Sequence, residues 1–241
     1  MSNAAPIFSV AVDSLKRINA PPRKGNQMDA LVSIVFAAAS LEAFLNEAAY
    51  LASNYQPVVG DPVVVSTFAD VMEEVEKSRA QIQAKFQFAH IVLTGKTYDK
   101  GAAPYQDFSL LIETRNELVH FKSDEYFLSK GGDKATVGST VRVIRRLKSL
   151  NILFEGTPGT ITMPFGQTAQ MSAHYVTDPI FKEPPDASAS FTYLIGTKAV
   201  AEWACNAASQ MVLDFLSKAP PSTWKNRMDT YLLPAFSVPL K

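Results

Sequence analysis

The sequence predicts an all-α protein: a helical bundle of four to five long helices, interrupted by a loop-rich, partly β insertion. Three observations predict it. Apolar residues recur at helical spacing over long stretches, near 27–53, 63–93, 105–121 and 188–218. Breakers containing proline and glycine separate the stretches. Between about 124 and 186 the helical period fails except near 139–150, and prolines, glycines and short β-like runs around Ile161 and Tyr175 take its place. Hydrophobic residues make up 47% of the 241, enough for one sizeable core, so the chain is read as a single domain, 1–241, with the insertion or cap set into it.

Taken in order, 7–18 is a short helix that stops at Pro21 and Pro22. In the helix 27–53, Leu31, Val35, Ala38, Leu45 and Ala48 line one face, while Ile34, Ala37, Leu41, Phe44 and Leu51 line another. A helix apolar on most sides belongs at the centre of a fold. Glu42 lies eleven residues after Leu31, almost the same angular position, and is therefore an acid inside an apolar stripe. Asp61-Pro62 reads as an N-cap with proline at the first helical position. A second long helix, 63–93, follows, with Phe68, Met72, Val75, Ile82, Phe86 and Ala89 inward, and Gly95 ends it. In the third, 105–121, Phe108, Leu111, Ile112, Leu118 and Val119 mark the core side, and Arg115 falls on that side. A short helix is expected at 139–150, and the last long one at 188–218, closed by Pro220-Pro221 and a short helix near 224–233.

Composition excludes several classes. Lys plus Arg and Asp plus Glu balance at 23 each, so no global basic field exists and nucleic-acid binding would depend on local patches. A single cysteine, Cys205, forms no internal disulfide and fits a reducing, cytoplasmic setting. The N-terminus lacks the basic and apolar regions of a signal peptide. The segment 30–52 has the length of a membrane span but contains Glu42, Asn46 and Glu47. An ionised carboxylate at mid-bilayer costs roughly 2.5–3.5 kcal/mol, so a buried helix and no membrane partner are expected.

Most motif fragments have plain structural readings. Thr94-Gly95-Lys96-Thr97 contains the tail of a phosphate-binding loop, but the required upstream glycine position holds His90, and a helix precedes it instead of a strand. A helix cap and turn is the better reading. His90, His120 and His174 have no metal-ligand spacing, so no metal and no cofactor are expected, and neither His90 nor His174 is assigned a role. Glu73, Glu74 and Glu76 read as a solvated face, and Cys205 as a buried inert thiol. Arg142, Arg145, Arg146 and Lys148 cluster on a short helix. A solvated face is the preferred reading, and weak RNA-phosphate binding the alternative.

Arg115, Asn116 and His120 remain. The plain reading is a core ion pair of Arg115 with Glu42, within about 4 Å, plus a histidine favoured by a helix C-terminus. The pattern Arg115-Asn116-x-x-x-His120 also resembles the R-x4–6-H motif of HEPN domains (higher eukaryotes and prokaryotes nucleotide-binding), with asparagine after the arginine as in the ribonuclease members. The segment Leu41-Glu42-Ala43-Phe44-Leu45-Asn46-Glu47 is similar to segments of other HEPN groups, and the resemblance covers about 27–121 and 188–218. His120 is followed by Phe121-Lys122, where the toxins paired with a nucleotidyltransferase antitoxin carry x-Tyr.

The resemblance implies an all-α bundle, a homodimer whose two motifs line one cleft, and a metal-independent endoribonuclease acting on RNA as a toxin or defence effector. It implies His120 as general base or acid, Arg115 as the stabiliser of phosphoryl charge, Asn116 as an orienting group and Glu42 as the support of Arg115. An antitoxin or regulatory partner is not identified. The alternative is a non-catalytic HEPN-type module that binds RNA, a nucleotide or a protein.

Overall fold

A computed structural model describes residues 3–18, 26–56, 58–59, 61–120, 139–153, 159–162, 168–171 and 191–237. The protein is mostly helical. Its helices are α1 (Ala4–Ile18), α2 (Asn26–Ser53), α3 (Val64–Lys77), α4 (Ile82–Thr94), α5 (Tyr105–Val119) and α6 (Ser139–Ser149), then α7 (Phe191–Ile195), α8 (Lys198–Lys218), α9 (Thr223–Tyr231) and α10 (Leu233–Phe236). Two short strands, β1 (Gly159–Thr162) and β2 (Thr168–Met171), pair antiparallel with Gly159 opposite Met171. The expected β character near Ile161 is therefore present, whereas Tyr175 and His174 lie outside the described residues.

Helix α2 is central because its sequence leaves it no polar side broad enough to face water. Ile34, Leu41, Phe44 and Leu45 are fully buried, and α1, α3, α5 and α8 all pack on it. By length and composition it could cross a membrane, but these apolar side chains are used in protein contacts. Small residues let neighbours approach. Ser33 donates to the Ala11 carbonyl of α1 at 2.8 Å and lies 3.2 Å from Cys205 Sγ of α8. Aromatic rings fill the remaining space. Phe8 stacks on Phe236 at 4.4 Å, and Phe44 meets Phe215 edge-on at 5.1 Å. Trp224 donates to the Ala48 carbonyl at 3.0 Å, anchoring α9 to α2 with its one polar atom satisfied.

Two predicted helices are each divided. The stretch 63–93 breaks after Lys77. Ala80 N–H bonds the Val75 carbonyl, Arg79 N–H bonds the Glu76 carbonyl, and Arg79 holds φ 53°. This is a Schellman ending with arginine where glycine is usual, so no breaker residue marked it. The stretch 188–218 breaks at Gly196, and α8 starts afresh on Thr197, whose side chain accepts from Val200 N–H. Residues 188–190 lie outside the described set.

The start of α3 also differs from expectation. Asp61 is not its cap: the carboxylate accepts from Val58 N–H at 2.8 Å, and the helix begins after Val63 with no side-chain cap. Gly95 does end α4, at φ 73°. Helix α6 packs on α5 and α7, with Val143, Ile144 and Leu147 buried.

Candidate functional site

Helix α5 is held between α2, α6 and α8. Phe108, Leu111 and Ile112 are buried and fix its rotation, and the Trp203 indole donates to Asp107 at 3.4 Å. The inward pattern fades toward the C-terminal end. Val119, placed on the core side by its spacing, is exposed. His120 follows as the C-cap, its N–H bonded to the Asn116 carbonyl at 2.9 Å, and its side chain is also exposed. Phe121 and Lys122 lie outside the described residues.

Arg115 reaches Glu42 of α2 with a closest N···O separation of 4.0 Å, the expected ion-pair reach. The burial expected of this pair is not found. The Arg115 side chain is 31% exposed and that of Glu42 is 47% exposed. The eleven-residue spacing does put Glu42 in the direction of Leu31, but that direction is the border of the core: Leu31 and Ala49 on it are only partly buried, while Leu41, Phe44 and Leu45 beside Glu42 are fully buried. The Arg115 guanidinium also donates to Asn116 Oδ1 at 3.0 Å. Asn116 thus steadies Arg115 through its side chain and meets His120 only through its backbone carbonyl. The structure brings Arg115, Asn116 and Glu42 together and puts His120 one turn further on, open to solvent.

The buried cation is Lys85, which sequence reasoning passed over. Its side chain is 5% exposed, it pairs closely with Glu76 of α3, and its ammonium lies 4.0 Å from Glu42. Glu76 is therefore not merely part of a solvated face. Glu73 is, and it pairs with Lys77 at 2.8 Å in the expected i,i+4 geometry, which holds its carboxyl below the usual range. Glu42 accordingly lies within reach of two cations from two helices, one buried and one part-exposed. The available signal for Lys85 was its place one residue before the inward-facing Phe86 and three after Ile82.

The remaining candidates separate from this cluster. His90 is buried, and its Nδ1 lies 2.6 Å from the Lys96 carbonyl. A carbonyl only accepts, so Nδ1 carries the proton. Its ring packs on Tyr98 with centroids 3.8 Å apart. Residues 94–97 are thus a cap and turn tied back to α4. Tyr98 in turn donates to Asp214 at 2.7 Å, and burial together with that carboxylate pushes its phenol up. Cys205 is fully buried, and desolvation pushes its thiol up to about 11. Arg142, Arg145 and Arg146 line an open concavity of about 520 Å³ with Ser149, and Lys148 is half-buried on the same helix. Among the described residues, no three side chains of His, Cys, Asp or Glu stand close enough to hold a metal ion together. No family model, curated protein or solved structure matches the chain.

Proposed function

We propose that the protein is a HEPN-like helical bundle acting as a metal-independent endoribonuclease, a cytoplasmic toxin or defence effector that works as a homodimer. The observation that carries this reading is the placement of Arg115, Asn116 and His120 at one solvent-accessible end of α5, with Glu42 supporting the guanidinium from α2. A sealed core would have denied RNA access to all three.

In the proposed reaction the ribose 2′-oxygen attacks the adjacent phosphorus, and the bond from phosphorus to the 5′-oxygen breaks. His120 removes the 2′-hydroxyl proton or delivers a proton to the departing 5′-oxygen, tasks open to an imidazole because its ring nitrogens can accept or donate a proton. Arg115 faces the charge that grows on the non-bridging oxygens. Asn116 and Glu42 hold Arg115 in its rotamer. Products are a 2′,3′-cyclic phosphate and a 5′-hydroxyl. Two copies sharing one cleft would supply one imidazole for each proton transfer.

A second reading is a non-catalytic RNA- or protein-binding module. It is favoured by the Arg115 guanidinium already being engaged by Asn116 and Glu42. Incubation of purified protein with single-stranded RNA in EDTA separates the two. The enzyme reading expects cyclic-phosphate ends, lost in His120→Ala and Arg115→Ala. Equal and intact RNA with wild type and both variants, or cleavage that EDTA abolishes, overturns the metal-free mechanism.

A further inference from the structure

We propose that the arginine face of α6 is a second phosphate-binding surface, which grips backbone phosphates of a single-stranded RNA away from the reacting one. The inference rests on the RNA reading above for its ligand, but on different residues. Arg142, Arg145 and Arg146 line a concavity of about 520 Å³ that is open to solvent. None of the three has an acidic partner among the described residues. Several other long cations of the described protein are paired, Arg17 with Asp29, Lys77 with Glu73 and Lys198 with Glu202.

Helix stability does not explain the cluster. Cations in a last turn complement the helix dipole, which accounts for Arg146 and Lys148. Arg142 lies in the first turn, where a cation is disfavoured by the same dipole. Nor does packing explain it, because the inward face consists of Thr140, Val143, Ile144 and Leu147. Arg142 and Arg146 are offset by about 6 Å along the axis at 1.5 Å per residue. Three guanidiniums spread over more than one turn suit a run of phosphates better than a single anion, and arginine suits phosphate oxygens because its fork donates two parallel bonds. Helix α6 packs on α5, the helix that carries Arg115 and His120, which puts both surfaces on adjoining elements.

The test measures binding of a fluorescently labelled single-stranded RNA 20-mer to the full chain, in a His120→Ala background that removes cleavage, across a salt titration. Each phosphate contact on a single strand contributes about 0.7 to the slope of log K against log salt. Arg142→Gln/Arg145→Gln/Arg146→Gln is expected to bind at least about tenfold more weakly at low salt and to lower the slope by about 2. Its circular dichroism melt should match the parent, because the inward face of α6 is untouched. Unchanged affinity and slope, or no binding by the parent, overturn the proposal. Cleavage by the otherwise wild-type chain separates the two readings. A chain that cleaves RNA in EDTA while the triple variant binds normally loses only the α6 surface. A chain that never cleaves but binds through the three arginines keeps the surface and loses the ribonuclease.

Discussion

The carboxylate of Glu42 lies 4.0 Å from the guanidinium of Arg115, and solvent reaches both side chains, 47% and 31% exposed. Breaking a buried ion pair costs roughly 3–5 kcal/mol; a part-exposed one is worth about 0–1 kcal/mol, because water and salt screen it. Glu42→Ala is therefore expected to change unfolding free energy by no more than about 1 kcal/mol in urea. Under the proposed mechanism it lowers RNA cleavage by more than that loss of folded protein explains, since Arg115 loses its support from α2. A destabilisation near 4 kcal/mol would mean that the pair is sealed in solution.

Lys85 reverses this balance. Its side chain is 5% exposed, but its partners Glu76 and Glu42 are 60% and 47% exposed. Replacing the lysine by methionine keeps the unbranched shape and leaves two carboxylates that water can solvate. Lys85→Met should therefore stay within about 1 kcal/mol of wild type. Glu42→Gln/Glu76→Gln leaves an ammonium in the interior without a counter-charge and should cost about 3 kcal/mol or more. Chemical denaturation of the two variants checks the order. The opposite order would show that Lys85 finds water in solution.

The sequence made the helices legible wherever burial and period coincided. Ile34, Leu41 and Phe44 repeat on the inner side of α2 and are buried there. It did not reveal where those helices break. Val75 and Ile82 keep in phase across Ser78–Gln81, so the apolar pattern continues although the backbone turns. The turn is made by Arg79, a residue that does not announce it. Helical spacing placed the Arg115–Glu42 contact correctly but misjudged its depth, because an apolar residue such as Leu31 marks its direction as inward although it is itself only partly buried. Lys85 was missed for the reciprocal reason. A charged residue next to an apolar stripe reads as its polar border, and only the tertiary approach of Glu76 from α3 makes burial tolerable.

Cys205 gives a pH-dependent test of the core. Desolvation is the main cause that raises its thiol to about 11 from an ordinary 9.0, opposed by the Ser33 hydroxyl. The unfolded thiol ionises first as pH rises, so the unfolded state binds fewer protons and stability falls with pH. The contribution is present in full below about 9 and is lost as pH approaches about 11. At 1.36 kcal/mol per unit the loss is about 2–3 kcal/mol. The stability difference between wild type and Cys205→Ala, followed by urea unfolding from pH 8 to 11, should shift against wild type by about this amount. In the folded protein at pH 8 the thiol should resist iodoacetamide and react only in denaturant. Fast labelling without denaturant would place the thiol at the surface.

The two helix breaks predict substitutions of opposite sign. Arg79 holds φ 53°, a conformation that costs a residue with a Cβ about 1–2 kcal/mol. Glycine removes that strain but gains freedom in the unfolded chain. Arg79→Gly should therefore be neutral or stabilising by up to about 1 kcal/mol. At Gly196 the added methyl is the problem. A Cβ there would sit 2.4 Å from Gln27 Cγ and 2.7 Å from the Thr192 carbonyl oxygen. The glutamine can swing away, but the carbonyl belongs to α7 and its oxygen already accepts from Gly196 N–H at 2.9 Å. Gly196→Ala must push α7 from the start of α8 and should cost about 1–3 kcal/mol, as overpacking does. Thermal melts of the two variants measured together check both signs. A destabilised Arg79→Gly would mean that α3 and α4 join without a left-handed residue, and an unaffected Gly196→Ala would mean that α7 sits further from α2 than this close approach requires.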